Sequence, residues 1–95
     1  MTSKQRAYLR GLAQNIDTIL HVGKSGIIPT LTTQCDTALT AREIIKGKAQ
    51  ENAPVSAREA AGMLAAETGA EVVQVIGSRF VLYRPHPEKP VIQLP

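Results

Sequence analysis

The stretch His21-Val22-Gly23-Lys24-Ser25-Gly26-Ile27-Ile28-Pro29 decides how the rest of this chain is organised. A short apolar, β-branched run leads into it, and a helical pattern that starts near Pro29 leads out of it. Gly23 and Gly26 allow the backbone to turn sharply and to take positive φ angles, and they keep side chains away from the loop. Lys24 adds a positive charge. A strand, a bare cationic loop and a helix N-terminus together form a place where a phosphate can bind.

The same loop has two other interpretations. Gly23-Lys24-Ser25 resembles the end of a Walker A nucleotide-binding loop, but that motif needs a glycine five residues before Gly23, where Thr18 stands. No acidic residue at a strand end is placed to bind the magnesium ion of such a site. The second alternative is a tight turn between strand and helix that binds nothing, because G-x-x-G is a weak motif. The loop alone does not decide between a turn and a phosphate site.

The composition predicts a single domain that spans residues 1–95. Its core must be aliphatic, because the chain has one Phe, two Tyr and no Trp. Residues 85–95 include four prolines and are expected to form an extended C-terminal arm. Neither a signal-peptide pattern nor a membrane-spanning run is visible, so we expect a cytoplasmic protein with no membrane partner. We also expect a monomer.

Positive charge concentrates at both ends of the chain. The protein has 11 Lys and Arg against 8 Asp and Glu, which gives a net charge of +3. Residues 1–30 have a net charge of +3, residues 31–71 of −2 and residues 72–95 of +2. Two segments that are far apart in the sequence must therefore meet in space if the protein is to present one basic face to a polyanion.

The hydrophobic periodicity predicts elements in the order α-β-α-β-α-β-β. Helices are predicted at residues 2–16, 29–42 and 55–69, and strands at residues 18–22, 43–49, 71–76 and 79–84. Local signals support these bounds: capping boxes at Thr2–Gln5 and Ser56–Glu59, a left-handed helix end at Gly69, and a hairpin turn at Gly77-Ser78. The predicted fold class is a two-layer α/β (α+β) domain with a four-stranded mixed sheet and three helices.

Two positions in the middle of the chain carry further predictions. Lys46 and Lys48 share one face of the second predicted strand, but the pattern does not tell whether they face a ligand or lie beneath the helices. Gly47 between them indicates a close backbone approach or a bulge. Cys35 lies on the apolar stripe of the second helix, which favours a packed core thiol. As the one cysteine, it excludes an intrachain disulfide and a zinc site made of cysteines.

No arrangement of side chains is typical of catalysis. His21 and His86 have no second ligand at metal-binding spacing, and neither a Ser/His/Asp set nor a pair of acids has a local signature. We therefore predict no enzyme activity, no catalytic residue, no metal site and no cofactor.

Nucleic-acid binding fits the sequence better. A G-x-x-G loop can hold a sugar–phosphate backbone through its N–H groups, as KH modules do. The scarcity of aromatic residues argues against a sheet on which bases stack. The candidate RNA-binding residues are Gly23, Lys24, Ser25 and Gly26 of the loop, and Lys4, Arg6, Arg10, Lys46, Lys48, Arg79 and Arg84 as cations.

Four segments, in this order and spacing, resemble the YhbY family of bacterial CRM-domain proteins. They are Lys4–Ala13, Val22–Gly26, Glu43–Lys48 and Gln74–Pro85. The resemblance implies an RNA-binding fold similar to the C-terminal domain of translation initiation factor three, and association with precursors of the large ribosomal subunit. Related domains occur in plant group II intron splicing factors. The family's G-x-x-G loop falls on Gly23 to Gly26, and its basic first helix on Lys4, Arg6 and Arg10.

The leading hypothesis is a small protein that binds structured rRNA during ribosome assembly. The loop and the basic first helix would grip the phosphate backbone. The alternative is a protein-interaction adaptor on ribosomal particles, with ribosomal proteins as partners and a basic face that only steers association.

Overall fold

The computed structural model describes all of residues 1–95. The helices are α1 (Ser3–Ala13), α2 (Pro29–Arg42) and α3 (Ala57–Thr68), and the strands are β1 (Thr18–Val22), β2 (Ile44–Ala49), β3 (Glu71–Ile76) and β4 (Arg79–Tyr83). The predicted order of elements is confirmed, and the ends of the elements differ from the predicted ones by three residues at most. None of the helices has the length and apolar character needed to span a bilayer.

Side-chain caps fix the starts of α1 and α3. The hydroxyl of Thr2 accepts a hydrogen bond from the backbone N–H of Gln5 at 3.1 Å, and the side chain of Gln5 accepts one from the backbone N–H of Thr2, also at 3.1 Å. Ser56 and Glu59 form the same capping box at the start of α3. Gly69 ends α3 with a φ of 74°, in the left-handed region. Each of these predicted features is confirmed.

The strands form one mixed sheet in the order β1-β2-β4-β3. β1 and β2 are parallel, and β4 is antiparallel to both β2 and β3. The C-terminal ends of β1 and β2 therefore lie beside the hairpin turn at Gly77 and Ser78, at what we call the loop end of the sheet. Each outer strand carries one extra residue where the pairing register shifts, Ile19 in β1 and Val73 in β3.

Helices cover both faces of the sheet, so the domain has three layers rather than the two that were predicted. α2 and α3 pack on one face, against side chains such as Ile45 and Phe80. α1 lies alone on the other face, where Leu9 meets Val81 and Ile44. Successive residues of a strand point to opposite faces of the sheet. Neighbouring residues such as Ile44 and Ile45 are both apolar, so each face of the sheet has apolar side chains that a helix can cover. The apolar stripe of α1 predicts that this helix packs on a sheet, but it does not specify which face.

Gly47 gives the ring of Phe80 room to lie across β2. The two residues face each other in the pairing of β2 with β4, and Phe80 is fully buried. A Cβ atom on Gly47 would meet the Cζ atom of Phe80 and lie 2.6 Å from its Cε2 atom. The close approach predicted at Gly47 is therefore made by an aromatic ring, and β2 pairs with β4 without a register shift.

Glu43 fastens the C-terminal arm (residues 85–95), which contains neither helix nor strand. Glu43 is 3% exposed, and its carboxylate accepts backbone hydrogen bonds from His86 at 2.7 Å, Val91 at 2.9 Å and Ile92 at 2.8 Å. Burial raises the pKa of this carboxyl, but the hydrogen bonds outweigh burial and hold the pKa below its ordinary value. Ile92 and Leu94 pack against the side chains that α1 buries. The arm is thus joined to the body of the domain.

The sequence predicted that Glu43 is the first residue of the second strand, and this prediction is wrong. Glu43 is the C-cap of α2, and its φ of 66° is unusual for a residue other than glycine. The hydrogen bonds to the arm involve residues more than 40 positions away in the chain, so no local pattern reveals this conformation.

Candidate RNA-binding surface

Residues Gly23 to Gly26 form a tight turn at the loop end of the sheet. The backbone N–H of Gly26 donates to the carbonyl of Gly23 at 3.0 Å, and Gly26 has a φ of 69°. Gly23 does not take a positive φ, so the backbone requires glycine at only one of the two positions. A Cβ atom on Gly26 would also lie 3.1 Å from the Cγ atom of Pro54, in the segment between β2 and α3.

The turn leaves the backbone donors of Lys24 and Ser25 unused. Both residues are exposed, and neither backbone N–H has an acceptor within the protein. α2 starts shortly after the turn, and its N-cap residue Ile28 provides no side-chain cap, so the positive end of this helix is also open. A shallow cavity of about 290 Å³ lies here, lined by Lys24, Ser25, Thr30 and Gln34 among others. The turn therefore has the donors and the charge that an anion requires.

Lys46, Lys48 and Arg79 lie on the α1 face of the sheet, in the part that α1 leaves uncovered. Lys48 faces Arg79 in the pairing of β2 with β4, and Lys46 is two residues further along the same face. Arg10, in the last turn of α1, lines one cavity together with Lys46 and Arg79. The two lysines are thus beside α1 and not beneath α2 and α3. Arg10 and Arg79, from the two basic ends of the chain, line the same cavity, so at these two residues the basic segments meet in space.

The structure does not bring Arg84 to the other predicted residues. Arg84 lies at the far end of β4 from Arg79 and binds groups of α2 and α3. Its Nη1 donates to the carboxylate of Asp36 at 2.6 Å and to the carbonyl of Thr68 at 2.7 Å, and its Nη2 donates to the hydroxyl of Thr40 at 2.9 Å. Because these donors are satisfied within the protein, we leave Arg84 out of the candidate surface.

The side chains of Arg6 and Lys4 differ in whether they bind other groups of the protein. Arg6 is half-buried, and its Nη1 donates to the carbonyls of Val72 at 2.7 Å and Val73 at 3.2 Å, which ties α1 to β3. Lys4 is exposed on the first turn of α1 and makes no ion pair. It lies about 9 Å along the helix axis from Arg10. Lys4 also projects about 120° away from Arg10 around the helix, so the structure does not group it with Arg10, Lys46 and Arg79, and Arg6 serves mainly to hold α1 in place.

The thiol of Cys35 is buried, and the His, Cys, Asp and Glu side chains are not grouped as metal ligands. Cys35 is fully buried, and burial raises its pKa to about 11, although the nearby Arg84 lowers it in part. A thiol with this pKa is protonated at neutral pH and is a poor nucleophile. No cluster of three or more His, Cys, Asp or Glu side chains is present that could hold a metal ion.

Sequence reasoning missed two glutamines, Gln14 and Gln74, that line the same cavity as Arg10, Lys46 and Arg79. A usable signal existed for Gln74. The two-residue turn at Gly77 and Ser78 fixes the hairpin register, which puts Gln74 opposite Val81 on the face of Arg79. Gln14 follows Arg10 by four residues, so helical spacing places the two side chains near each other, but the face of the sheet that they meet depends on where α1 packs.

The profile of the CRS1 / YhbY (CRM) domain family matches residues 1–84. The chain belongs to this family. The matched range contains all the helices and strands and every candidate site residue, and it ends where the C-terminal arm begins. The family resemblance carried by the four sequence segments is confirmed.

Relatives of this CRM-domain protein match it along the whole chain. Probable RNA-binding protein YqeI of Bacillus subtilis is 35% identical over 95 residues, which cover 100% of this chain and 99% of that protein. A Haemophilus influenzae protein named RNA-binding protein is 33% identical over 95 residues, covering 100% of this chain and 95% of the relative. The solution structure of a hypothetical Staphylococcus aureus protein, described as a candidate RNA-binding protein, has a TM-score of 0.82 and 44% identity, covering 100% of this chain and 99% of that one. The predicted fold is thus also that of a solved relative.

Proposed function

We propose that this CRM-domain protein binds structured rRNA in precursors of the large ribosomal subunit and takes part in ribosome assembly without catalysing a reaction. Membership of the family and the names of the relatives support RNA as the partner. Ribosomal RNA is proposed because the four sequence segments resemble the YhbY family. Such a protein would act in the cytoplasm, where bacterial ribosomes assemble.

The observation that carries the proposal is a set of cations that have no ion-pair partner, in two places: the loop end of the sheet and its α1 face. The protein has a single ion pair, between Arg84 and Asp36. None of the cations in these two places takes part in it: Arg10, Lys24, Lys46, Lys48 and Arg79. Unpaired cations that lie close together attract a polyanion and supply most of the affinity for a nucleic-acid backbone.

The proposed binding mode follows from this placement. One phosphate would sit at the Gly23–Gly26 turn, held by the backbone N–H groups of Lys24 and Ser25 and by the ammonium group of Lys24. The cations on the α1 face would bind phosphates further along the RNA. Because these contacts are made to the RNA backbone, affinity should depend on charge and on the shape of the RNA helix more than on the RNA sequence.

The experiment is a salt series of binding to large-subunit rRNA, for the wild type and for the variant Lys24→Asp with Ser25→Asp. If about four phosphates are neutralised, the logarithm of the binding constant should fall with that of the salt concentration with a slope of about −3 to −4. The variant keeps both glycines, so circular dichroism should be unchanged. Its affinity should fall by about tenfold or more, because the turn now repels phosphate.

The matched control is Lys89→Asp with Thr37→Asp, which changes the net charge by the same amount at two exposed positions that do not line the turn cavity. Its affinity should fall much less. Equal losses in the two variants would show that charge acts only at long range, as expected for an adaptor. In that case the protein should bind a purified ribosomal protein in the absence of RNA. Binding to rRNA that does not depend on salt would contradict the proposal.

A further inference from the structure

A second concave site lies on the α1 face of the sheet, apart from the Gly23–Gly26 turn. It is a cavity of about 260 Å³ between the last turn of α1 and strands β2, β4 and β3, and we call it the α1 cavity. Its polar lining consists of Arg10, Gln14, Lys46, Gln74 and Arg79. Side chains from four elements that are distant in the sequence contribute to it, so only the folded domain forms this site.

The cations around the α1 cavity have no partner within the protein. None of Arg10, Lys46 and Arg79 is part of the single ion pair, and no Asp or Glu lines the cavity. Like charges placed around one concavity repel each other, so an anion bound between them removes an unfavourable interaction. The α1 cavity is therefore suited to a ligand that carries phosphate.

Two amides distinguish the α1 cavity from a simple phosphate site. The side chains of Gln14 and Gln74 each offer a donor and an acceptor, whereas a phosphate can use only donors. Nucleobases carry both donors and acceptors on their edges. Ala13 and Val81 line the cavity but are almost fully buried, so the apolar surface against which a ring can pack is mainly that of Ile76, which is 64% exposed. Cations, amides and an apolar side chain together match the parts of one nucleotide.

We infer that the α1 cavity accepts one unpaired nucleotide that is turned out of a bound RNA helix. This inference rests on the proposed function and names the structural feature of the RNA that this surface recognises. The base packs on Ile76 with its edge towards the two glutamines, and the cations bind the phosphates on either side. A paired base does not enter, because its distinctive edge lies in the deep, narrow groove of an A-form helix. The volume is below the usual range of about 300–1,000 Å³ for ligand pockets, which suits one base rather than a stack.

The test compares two RNAs by fluorescence anisotropy at one salt concentration. One is a short blunt-ended duplex, and the other is the same duplex with a single extra, unpaired adenosine in the middle of one strand. The wild type should bind the bulged duplex about tenfold more tightly, a difference of about 1.4 kcal/mol, because only the bulged duplex offers a base that can enter the cavity.

Two variants test whether the preference for the bulged duplex depends on the α1 cavity. Gln14→Ala with Gln74→Ala should reduce it to about twofold and leave binding to the plain duplex unchanged, because the cations remain. Ile76→Glu, at an exposed rim position, should also reduce it, since a carboxylate repels the incoming nucleotide. Gln93→Ala removes an exposed amide of the C-terminal arm that lines neither cavity, and should keep the preference.

The possible results separate this inference from the proposed function. Equal affinity of the wild type for the two duplexes, or a preference that survives both the glutamine and the Ile76 changes in folded protein, would overturn the inference and leave RNA binding intact. A wild type that binds neither duplex nor rRNA would overturn both.

Discussion

Gly47 is a residue at which even an added methyl group should destabilise the fold. Its missing Cβ atom leaves the space occupied by the ring of Phe80, which is fully buried. Gly47→Ala should lower the free energy of unfolding by about 1–3 kcal/mol, because the ring or the strand must move to make room. Urea denaturation followed by circular dichroism measures this change.

Gly62 provides the matched control, because it lies in α3 with no atom near the position of a Cβ. Gly62→Ala should raise the free energy of unfolding by about 0.5–1 kcal/mol, since alanine favours the helix. The same chemical change should thus have opposite signs at the two positions. A Gly47→Ala variant that is as stable as the wild type would show that the ring of Phe80 can take another position without loss of packing.

At the scale of elements, the hydrogen bonds from the arm to Glu43 predict a dependence of stability on pH. The pKa of Glu43 is lower in the folded protein than its ordinary value. Its carboxylate therefore stabilises the fold above the pKa of the unfolded chain, and this contribution is lost as the pH falls through the folded pKa. Glu43→Gln should be less stable than the wild type at pH 7, by about 1–3 kcal/mol, and should show a weaker loss of stability on acidification.

Urea midpoints between about pH 3 and 7 measure the difference, and hydrogen exchange of the Val91 and Ile92 amides reports release of the arm. Glu88→Gln, in the exposed part of the arm, is the control and should keep the pH dependence of the wild type. Parallel pH curves for wild type and Glu43→Gln would mean that this carboxylate does not hold the arm.

The same elements show how far the sequence predicts the fold. Helix caps, the left-handed Gly69 and the hairpin turn depend on neighbouring residues, so local patterns were enough to predict them. The side of the sheet covered by α1, and the conformation of Glu43, depend on contacts between distant parts of the chain. Local patterns do not contain that information.

The candidate surface was predictable to the extent that it depends on alternation along a strand. Period two placed Lys46 and Lys48 on one face, and the structure adds Arg79 to it. The same alternation puts Arg84, five residues after Arg79, on the opposite face of the strand, so the sequence already contained the signal that separates the two arginines. The packing of α2 and α3 shows what Arg84 binds there.

For the whole molecule, we predict that Arg84 contributes to stability and Arg79 to RNA binding. Arg84 joins β4 to α2 and α3, so Arg84→Gln should lower the free energy of unfolding by about 1–3 kcal/mol and change rRNA affinity little while the protein is folded. Arg79 is exposed and has no ion-pair partner. Arg79→Gln should leave stability within about 0.5 kcal/mol of the wild type and make the salt slope of rRNA binding shallower by about one.

Thermal or urea unfolding and a salt series on the same two proteins measure both quantities. Each variant removes one positive charge from the same strand, so each serves as the control for the other. Loss of rRNA affinity in Arg84→Gln at full stability would place RNA on the α2 and α3 face, contrary to the proposed surface.

The irregular outer strands β1 and β3 affect whether many copies of the protein aggregate when they are close together. A regular outer strand is a template onto which another chain can add, and this is a common route to aggregation. Here each outer strand is interrupted by an extra residue, Ile19 in β1 and Val73 in β3. Arg6 also occupies two carbonyls of β3. A basic protein that collects on a long polyanion reaches a high local concentration, and irregular sheet edges keep such neighbours from fusing into a continuous sheet.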